Sequence, residues 1–360
     1  MFALRRYVIY MLFPLMAIVL LSLSSFSLAD ADTWTEKADM PTGRNALSTS
    51  VVNGRIYAIG GWDGMTPFSP SPVEEYDPAT DKWTEKDNMP TARYSFSTSV
   101  VDGMIYAIGG YSFGEAILSA VEEYDPARDK WTRVSNMPTA RESPLTCAVN
   151  GKIYAIGGYL GQVRYSSDVE EYNPTTDKWT KKADMPTART FLCGGVANGK
   201  IYAIGGWDGN FLSPVEEYDP VADKWTKKAS ILPTTRNCSS ACVVNGRIYI
   251  IGGWKWNYFS VVEEYDPATD TWAKKADMPT ARSALSTSAV NGRIYAIGGA
   301  GLKEGVTVFD LPTVEVYDTG FAGQGVKAAE KLSTTWGKVK TTYLGCGRTK
   351  AGNHAERTPI

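Results

Sequence analysis

The sequence predicts an all-β fold, a six-bladed β-propeller of four-stranded antiparallel blades that is closed by the N-terminal strand. A Gly-Gly pair and a tryptophan each recur six times, at intervals of 46–49 residues. Each interval holds four short strand patterns, and the second of them is apolar on both faces. Such a strand needs cover on both sides, which neighbouring repeats stacked around an axis supply. The Gly-Gly pairs begin at residues 60, 109, 157, 205, 252 and 298, and the tryptophans lie at 34, 83, 131, 179, 225 and 272.

An export signal precedes the first repeat. Two arginines at positions 5 and 6 are followed by an apolar run over residues 7–23, and small residues at 27, 29 and 31 fit a cleavage site. We therefore assign residues 1–29 to a signal peptide and expect a secreted, periplasmic or cell-surface protein. The alternative is an uncleaved N-terminal anchor, which would be the protein's contact with a membrane.

The first repeat shows how the four strands are assigned. Strand a is predicted over residues 45–52 and strand b over Arg55–Ile59, joined by Asn53-Gly54, which suits a two-residue type I′ turn. Strand c covers residues 73–76 and ends before an Asp-Pro pair, and strand d starts at Trp83. Strand a is rich in small residues, which suits sheets that converge at an axis. Each repeat is therefore a four-stranded meander.

These residues resemble kelch repeats: a Gly-Gly doublet, then a tyrosine and a tryptophan seven residues apart, in a period near 48. The resemblance covers residues 34–317 and implies a six-bladed propeller. Tyr317 has no tryptophan seven residues later, so we predict that residues 34–37 complete the last blade as its outer strand. The alternative is closure by Trp336.

The domain boundaries follow from the same pattern. Residues 30–320 form the propeller, and residues 321–360, with seven basic and two acidic side chains, form a basic and partly disordered tail.

Composition excludes several classes of function. The 37 basic and 39 acidic side chains nearly cancel, which argues against nucleic-acid binding. His354 is the one histidine, which argues strongly against copper oxidases with paired histidines, histidine-rich zinc sites and Ser-His-Asp hydrolases. No metal or cofactor is expected. The five cysteines, at 147, 193, 238, 242 and 346, are predicted to be buried thiols, although a bridge from Cys193 to Cys238 or Cys147 is conceivable.

The predicted binding face carries the d–a corners and the b–c loops. The b–c loops vary from 8 to 14 residues, whereas the a–b turns hardly vary, and variable loops are where function usually lies. An arginine opens strand a in each blade, and an aromatic residue follows Gly-Gly in five blades. In the kelch domains of ubiquitin-ligase adaptors, which the chain resembles, matching positions contact acidic peptides. The predicted ligand-binding residues are Arg44, Arg93, Arg141, Arg189, Arg236, Arg282, Trp62, Tyr111, Tyr159, Trp207 and Trp254.

A structural interpretation of the same residues stays open. Sixfold recurrence is also what a packing residue shows, so each arginine could simply pair with the first glutamate of the V-E-E-Y motif, and the aromatic residues could cap blade edges. Because recurring sites seldom all bind at once, specificity should come from the residue after each arginine, which differs among blades. These residues are Asn45, Tyr94, Glu142, Thr190, Asn237 and Ser283.

Three functions follow as hypotheses. The first is an exported recognition module that binds a protein or an anionic glycan on the arginine face. The second is a sugar epimerase, because exported kelch proteins of similar length include sialic acid mutarotases. Its weak catalytic candidate is Glu142, the one non-recurring carboxylate beside an arginine of the mouth. The third is a scaffold.

Overall fold

The computed structural model describes residues 32–64, 71–112, 114, 116–303 and 305–321, and this part of the chain is all-β without helices. The predicted signal peptide, residues 1–29, lies outside the described residues, as does nearly all of the predicted tail. Both remain predictions. Within the ranges above, no helix is long and apolar enough to cross a membrane.

Six four-stranded antiparallel sheets form the blades, which we number I to VI in the order of their innermost strands. The innermost strands a are β2 Ser48–Val52, β6 Ser97–Val101, β12 Leu145–Val149, β16 Cys193–Ala197, β20 Ser240–Val244 and β25 Ser286–Val290. Strands b are β3 Arg55–Ile59, β7 Met104–Ile108, β13 Lys152–Ile156, β17 Lys200–Ile204, β21 Arg247–Ile251 and β26 Arg293–Ile297. Strands c are β4 Ser71–Asp77, β10 Val121–Asp125, β14 Val169–Asn173, β18 Pro214–Asp219, β22 Val262–Asp266 and β29 Val314–Asp318. Outer strands d are β5 Lys82–Met89, β11 Lys130–Val134, β15 Lys178–Lys182, β19 Lys224–Ile231 and β23 Thr271–Lys275 in blades I to V, and β1 Thr33–Lys37 in blade VI.

Five short strands lie in the connections on one face. They are β8 Tyr111–Ser112, β9 Ala116–Ile117, β24 Arg282–Ser283, β27 Ala300–Lys303 and β28 Val306–Val308.

The first strand of the chain completes the last blade, as the sequence predicts. β1 pairs antiparallel with β29, with Trp34 opposite Tyr317. The Trp34 indole N–H donates to the Ala276 carbonyl over 2.9 Å, and the Trp34 and Tyr317 rings lie 5.2 Å apart. Asp32 accepts hydrogen bonds from the Tyr317 hydroxyl and the Ala276 N–H. Blade VI therefore contains residues from both ends of the repeat region.

Small hydroxyl residues join the inner strands around the axis. The Ser48 hydroxyl lies 2.8 Å from that of Thr98 in blade II, and the Ser99 hydroxyl donates to Thr146 of blade III over 3.0 Å. Blade VI meets blade I in the same way, through Ser286 and Thr49. Each innermost strand contacts those of both neighbouring blades, so the ring is continuous.

The hydrophobic core lies between blades. Ile59 of blade I and Ile105 of blade II are both fully buried in one cluster that the two sheets share. The same arrangement recurs around the ring, because strand b presents apolar side chains to both neighbours. Burial on both faces explains why strand b lacks the polar alternation of a sheet that is wet on one side.

An aspartate two residues before each outer-strand tryptophan also joins neighbouring blades. Asp81 accepts the Tyr76 hydroxyl over 2.6 Å and the backbone N–H of Ala38 over 2.9 Å, while the Trp83 indole donates to the Ala38 carbonyl. The Tyr76 bond and the backbone bond outweigh desolvation and lower the pKa of Asp81. The six equivalent aspartates, all with lowered pKa, are Asp32, Asp81, Asp129, Asp177, Asp223 and Asp270.

The lowered pKa values of these aspartates predict that the protein unfolds in acid. A carboxylate whose pKa is lower in the folded state contributes stability above its unfolded pKa, about 3.9, and loses it as the pH falls through the folded value. We therefore expect the melting temperature to be level near neutral pH and to decline steadily below about pH 4. Thermal melts recorded across the acid range check this. The variant Asp177→Asn should melt lower at neutral pH and show a shallower acid decline; an unchanged acid slope in that variant would contradict the argument.

Candidate functional site

The six predicted arginines are buried rather than exposed. Their side chains are inaccessible, and each forms an ion pair with a glutamate of strand c in its own blade. In blade IV, Arg189 Nη2 lies 2.5 Å from Glu216 Oε2, and its Nη1 donates to the Gly205 carbonyl over 3.1 Å. Thr187 donates to the other carboxylate oxygen over 2.6 Å. The pairs are Arg44–Glu74, Arg93–Glu122, Arg141–Glu170, Arg189–Glu216, Arg236–Glu263 and Arg282–Glu315, with N–O distances of 2.5–2.8 Å.

The prediction that the side chains of these arginines line the mouth is therefore wrong, and the predicted contact with an acidic ligand has no exposed guanidinium to support it. An enclosed guanidinium that is paired with a buried carboxylate presents no donor to a ligand, and this pairing offsets the cost of removing the two charges from water. Burial lowers the pKa of Arg189, and the charge of Glu216 opposes that shift. The structural interpretation, in which Arg44, Arg93, Arg141, Arg189, Arg236 and Arg282 pair with the first glutamate of V-E-E-Y, is confirmed.

The arginine backbone also forms the seam between blades. The Gly110 N–H donates to the carbonyl of Arg141, in the next blade, over 3.0 Å. A Cβ atom at Gly109, where φ is +65°, would lie 2.6 Å from that carbonyl oxygen. The Gly-Gly doublet is thus required because the next blade's corner approaches it closely.

The five predicted aromatic residues do lie at one face, beside the d–a corners. Each pairs through its backbone with the residue that follows the arginine of its own blade, for example Trp207 with Thr190 and Trp254 with Asn237. Trp62, Tyr111, Tyr159, Trp207 and Trp254 are all half-buried, so part of each ring is open to solvent. Placement on a shared face agrees with the sequence analysis; contact with a ligand remains a proposal.

Further aromatic side chains extend this set into what we call the aromatic arc. Over blades IV and V, Phe211 lies 4.8 Å from Trp207, 5.8 Å from Trp254 and 5.6 Å from Trp256, between ring centroids. Trp256 is 74% exposed. The arc comprises Trp62, Tyr94, Tyr111, Tyr159, Tyr165, Trp207, Phe211, Trp254 and Trp256.

Tyr165, Phe211 and Trp256 were not predicted from the sequence to be site residues. They do not recur in all six repeats, so a search for recurring positions passes over them. One signal was available: Phe211 and Tyr258 each lie four residues after the aromatic that follows Gly-Gly, and both pair back to it through the backbone.

A cavity of about 140 Å³ opens at the axis, in the middle of this face. Its lining comes from all six blades, from the second and third residues after each arginine. The second residue has a positive φ in every blade, and its N–H reaches the neighbouring blade: Ser143 donates to the Ser95 carbonyl over 2.7 Å, and Ser95 to that of Ala46 over 2.9 Å. These left-handed residues turn the backbone around the axis and shape the mouth.

Glu142 is the carboxylate at the rim of this mouth. It is half-buried, its backbone pairs with Tyr159, and its side chain is hydrogen-bonded to Ser95. Burial raises the pKa of Glu142, and the Ser95 hydrogen bond opposes the shift. Over the described residues, Glu142 forms no ion pair, in contrast to the strand-c glutamates such as Glu170.

The neighbouring corners hold two polar atoms without a partner. Thr190 Oγ1 and Asn237 Oδ1 are buried and have no hydrogen-bond partner in the structure. They follow the arginines of blades IV and V, and Glu142 holds the same position in blade III. Polar side chains at this position therefore break the symmetry of the ring in three consecutive blades. Two of them hold a buried atom without a hydrogen-bond partner, and the third, Glu142, is hydrogen-bonded to Ser95 but forms no ion pair among the described residues.

The cysteines do not form disulfides in the part of the chain that the structure describes. Cys147, Cys193 and Cys242 are buried thiols, and Cys238 is half-buried at the mouth, where burial and then the nearby charge of Glu142 raise its pKa to about 12. A thiol with such a pKa is unreactive at neutral pH. Cys346 lies outside the described residues. Across the described ranges, no group of acidic, cysteine and histidine side chains is placed to hold a metal ion.

Comparison with known proteins places this architecture. The family model described as the KLHDC2/KLHL20/DRC7 Kelch-repeats domain matches residues 15–158, 88–253 and 134–299, which together cover well over half of the chain. No curated protein matches. A solved structure titled "Structure of YjhT" is similar with a TM-score of 0.66 and 19% sequence identity, covering 76% of this chain and 95% of that chain. At that identity the likeness shows the fold alone.

Proposed function

Because the chain belongs to the kelch-repeat family, we propose that it is a non-catalytic recognition module that binds a protein ligand through the aromatic arc and the axial mouth. Kelch propellers are protein-interaction modules in general, and the proposal concerns which surface is used and how. The observation that carries it is the aromatic arc, which lies on the loops that vary among blades.

The chemistry of the arc supports a protein ligand. Aromatic side chains are enriched at the centres of protein interfaces, because they bury a large area at a small entropic cost. The adjoining b–c loop of blade VI adds exposed apolar side chains to the same face, among them Val306 at 65% and Phe309 at 58% exposure. Exposed apolar patches on a soluble domain commonly mark interaction sites.

The prediction of an acidic partner or an anionic glycan no longer has a physical basis. That prediction rested on six guanidinium groups at the mouth, and all six are enclosed in ion pairs. The epimerase alternative meets the same obstacle, since it requires a basic clamp beside Glu142. Arg141, the adjacent residue, is committed to Glu170 at 2.6 Å. We therefore favour recognition over catalysis.

We also propose that the module acts outside the cytoplasm. The support is the apolar run over residues 7–23 with its preceding arginines. Fusion of residues 1–35 to a reporter that is active only after export tests this proposal; a reporter that stays inactive would contradict it.

Substitution of exposed aromatic residues tests the binding surface. We expect Trp256→Ala combined with Trp207→Ala to weaken capture of peptides from a displayed random library at least tenfold, because tryptophan is enriched among the hot-spot residues whose truncation costs about 2 kcal/mol or more. The single variant Trp256→Ala should weaken capture without a change in melting temperature, because Trp256 is mostly exposed, whereas Trp207 is half-buried and its indole donates to the Tyr165 hydroxyl. The matched control is Val221→Ser, an 88% exposed apolar residue in the c–d turn on the opposite face. If the double variant enriches the same peptides as the parent protein, the arc is not the binding surface.

A further inference from the structure

Glu142 is a charge that the fold leaves unbalanced. In each blade, the first glutamate of strand c is neutralised by an arginine at 2.5–2.8 Å. Glu142 sits half-buried, with a hydrogen bond from a serine hydroxyl and, among the described residues, no lysine or arginine within ion-pair distance. A carboxylate in a partly desolvated place is costly unless a cation approaches it. Arg141, which is adjacent in sequence, cannot neutralise Glu142 because it is paired with Glu170.

The surroundings of Glu142 are aromatic. Its charge acts on the Tyr94 hydroxyl, whose pKa is raised by burial and then by Glu142. Tyr94 lies 5.5 Å from Tyr111 between ring centroids, and Tyr159, paired to Glu142 through the backbone, lies 6.0 Å from Tyr165. Aromatic rings near a carboxylate add to its attraction for a cation that lies over a ring face, because the π-system presents negative potential there.

The axial cavity provides room beside this group. The cavity is lined by Ser95, which is hydrogen-bonded to Glu142, and by Ser143, which follows Glu142 in the chain. The apolar side chains of Phe96 and Leu192 also line it. An aliphatic stem can lie along such apolar surface while its charged end reaches a carboxylate. At about 140 Å³ the cavity holds one side chain rather than a folded segment.

We propose that the axial mouth receives a lysine or arginine side chain of the partner protein, with its cationic end held by Glu142 between Tyr94 and Tyr159. This proposal rests on the proposed function in that the partner is a protein, and it reverses the charge that the sequence predicted for the ligand. A free amino sugar also carries an ammonium group, and the experiments below distinguish binding of such a sugar from binding of a lysine or arginine side chain.

The first experiment uses peptides enriched from the displayed library. Each basic residue of an enriched peptide is replaced in turn by norleucine, which keeps the stem of lysine and removes its charge. For one basic position we expect affinity for the parent protein to fall about tenfold or more, and the loss to shrink as salt is raised. The isosteric variant Glu142→Gln should bind the peptide with that lysine and the peptide with norleucine equally well.

The control is Glu85→Gln, which removes one negative charge from an exposed position on outer strand β5 and should leave the preference for lysine intact. Glu142→Gln should also melt no lower than the parent, because it removes an unpaired charge. Retention of the lysine preference by Glu142→Gln, or enrichment of peptides without basic residues, would overturn the proposal while leaving the proposed function standing.

A second measurement does not depend on any enriched peptide. The amide resonances of Ser95 and Ser143 are followed by NMR while N-acetyl-lysine methylamide, its norleucine analogue or glucosamine is added. We expect shifts with the lysine compound alone, and none in Glu142→Gln. If the lysine compound shifts these resonances but no peptide is enriched, the proposed function is wrong and the cation site stands. If glucosamine or the norleucine compound gives equal shifts, or if no compound gives any, the assignment to lysine or arginine is overturned.

Discussion

Replacing Arg189 by methionine is expected to lower the free energy of unfolding by about 3–5 kcal/mol, the usual cost of removing one partner from a buried ion pair. Methionine matches the stem but leaves Glu216 as an unpaired, inaccessible charge and leaves the Gly205 carbonyl without its donor. Chemical denaturation with a two-state analysis measures the change. The charge reversal Arg93→Glu with Arg189→Glu should prevent folding altogether.

A double-mutant cycle separates pairing from packing. Arg189→Met with Glu216→Gln should be less unstable than the sum of the two single variants, because neither leaves a buried charge once the other is changed. The matched control is Lys181→Met, since Lys181 forms exposed pairs with Asp168 and Asp184 and should contribute less than about 1 kcal/mol. A stable Arg189→Met that loses peptide capture would restore the ligand-binding interpretation of the arginines.

The arginines show where sequence analysis reaches its limit. A residue that recurs six times at a blade corner has the same pattern whether it points at the axis or into the sheet, because periodicity reports position along the chain and not side-chain direction. The partner glutamate recurs with the same period, and this co-recurrence was the available signal for a pair. Burial decided between the two interpretations.

The blades themselves were predictable because each rule that defines them is local. Asn53 and Gly54 have φ values of +50° and +75°, as the predicted a–b turn requires, and the same geometry recurs at Asn150 and Gly151. The turn chemistry and the apolar strand b together specify the meander, and the repeat count specifies the ring. The site was less predictable, because it depends on contacts between blades, such as that of Phe211 with Trp254, whose residues have no common pattern.

The unpaired state of Glu142 was also beyond sequence analysis. Its neighbour Arg141 suggested a basic clamp at the mouth. In the structure, consecutive residues of the corner point to different environments, so Arg141 enters the blade while Glu142 stays at the rim. Adjacency in sequence therefore gave the wrong partner, and only the three-dimensional arrangement reveals a carboxylate without a cation.

Removal of the N-terminal strand is expected to destabilise the fold strongly, because it opens the ring. A variant that begins at residue 39 lacks β1, its five paired positions with β29 and the Trp34 anchor. Blade VI would then expose an edge strand, and the cover that it gives to its neighbours would weaken. We expect a loss on the order of 5 kcal/mol or more, seen as a broad, early melt, since burial of one large aromatic alone is worth about 3–5 kcal/mol.

The matched variants distinguish closure from loss of one tryptophan. Trp34→Ala and Trp83→Ala remove equivalent contacts, because Trp83 lies 5.0 Å from Tyr76 and donates to the Ala38 carbonyl as Trp34 does to that of Ala276. The two single variants should therefore be similarly destabilised, and the truncation should exceed both. A synthetic peptide of residues 32–38 added to the truncated protein should raise its melting temperature. The strand is held to β29 by backbone pairing and by the Trp34 contacts, and a separate peptide can form both. Trp336→Ala should have no effect; a truncated protein that melts like the parent, together with an unstable Trp336→Ala, would instead assign closure to the C-terminal tryptophan.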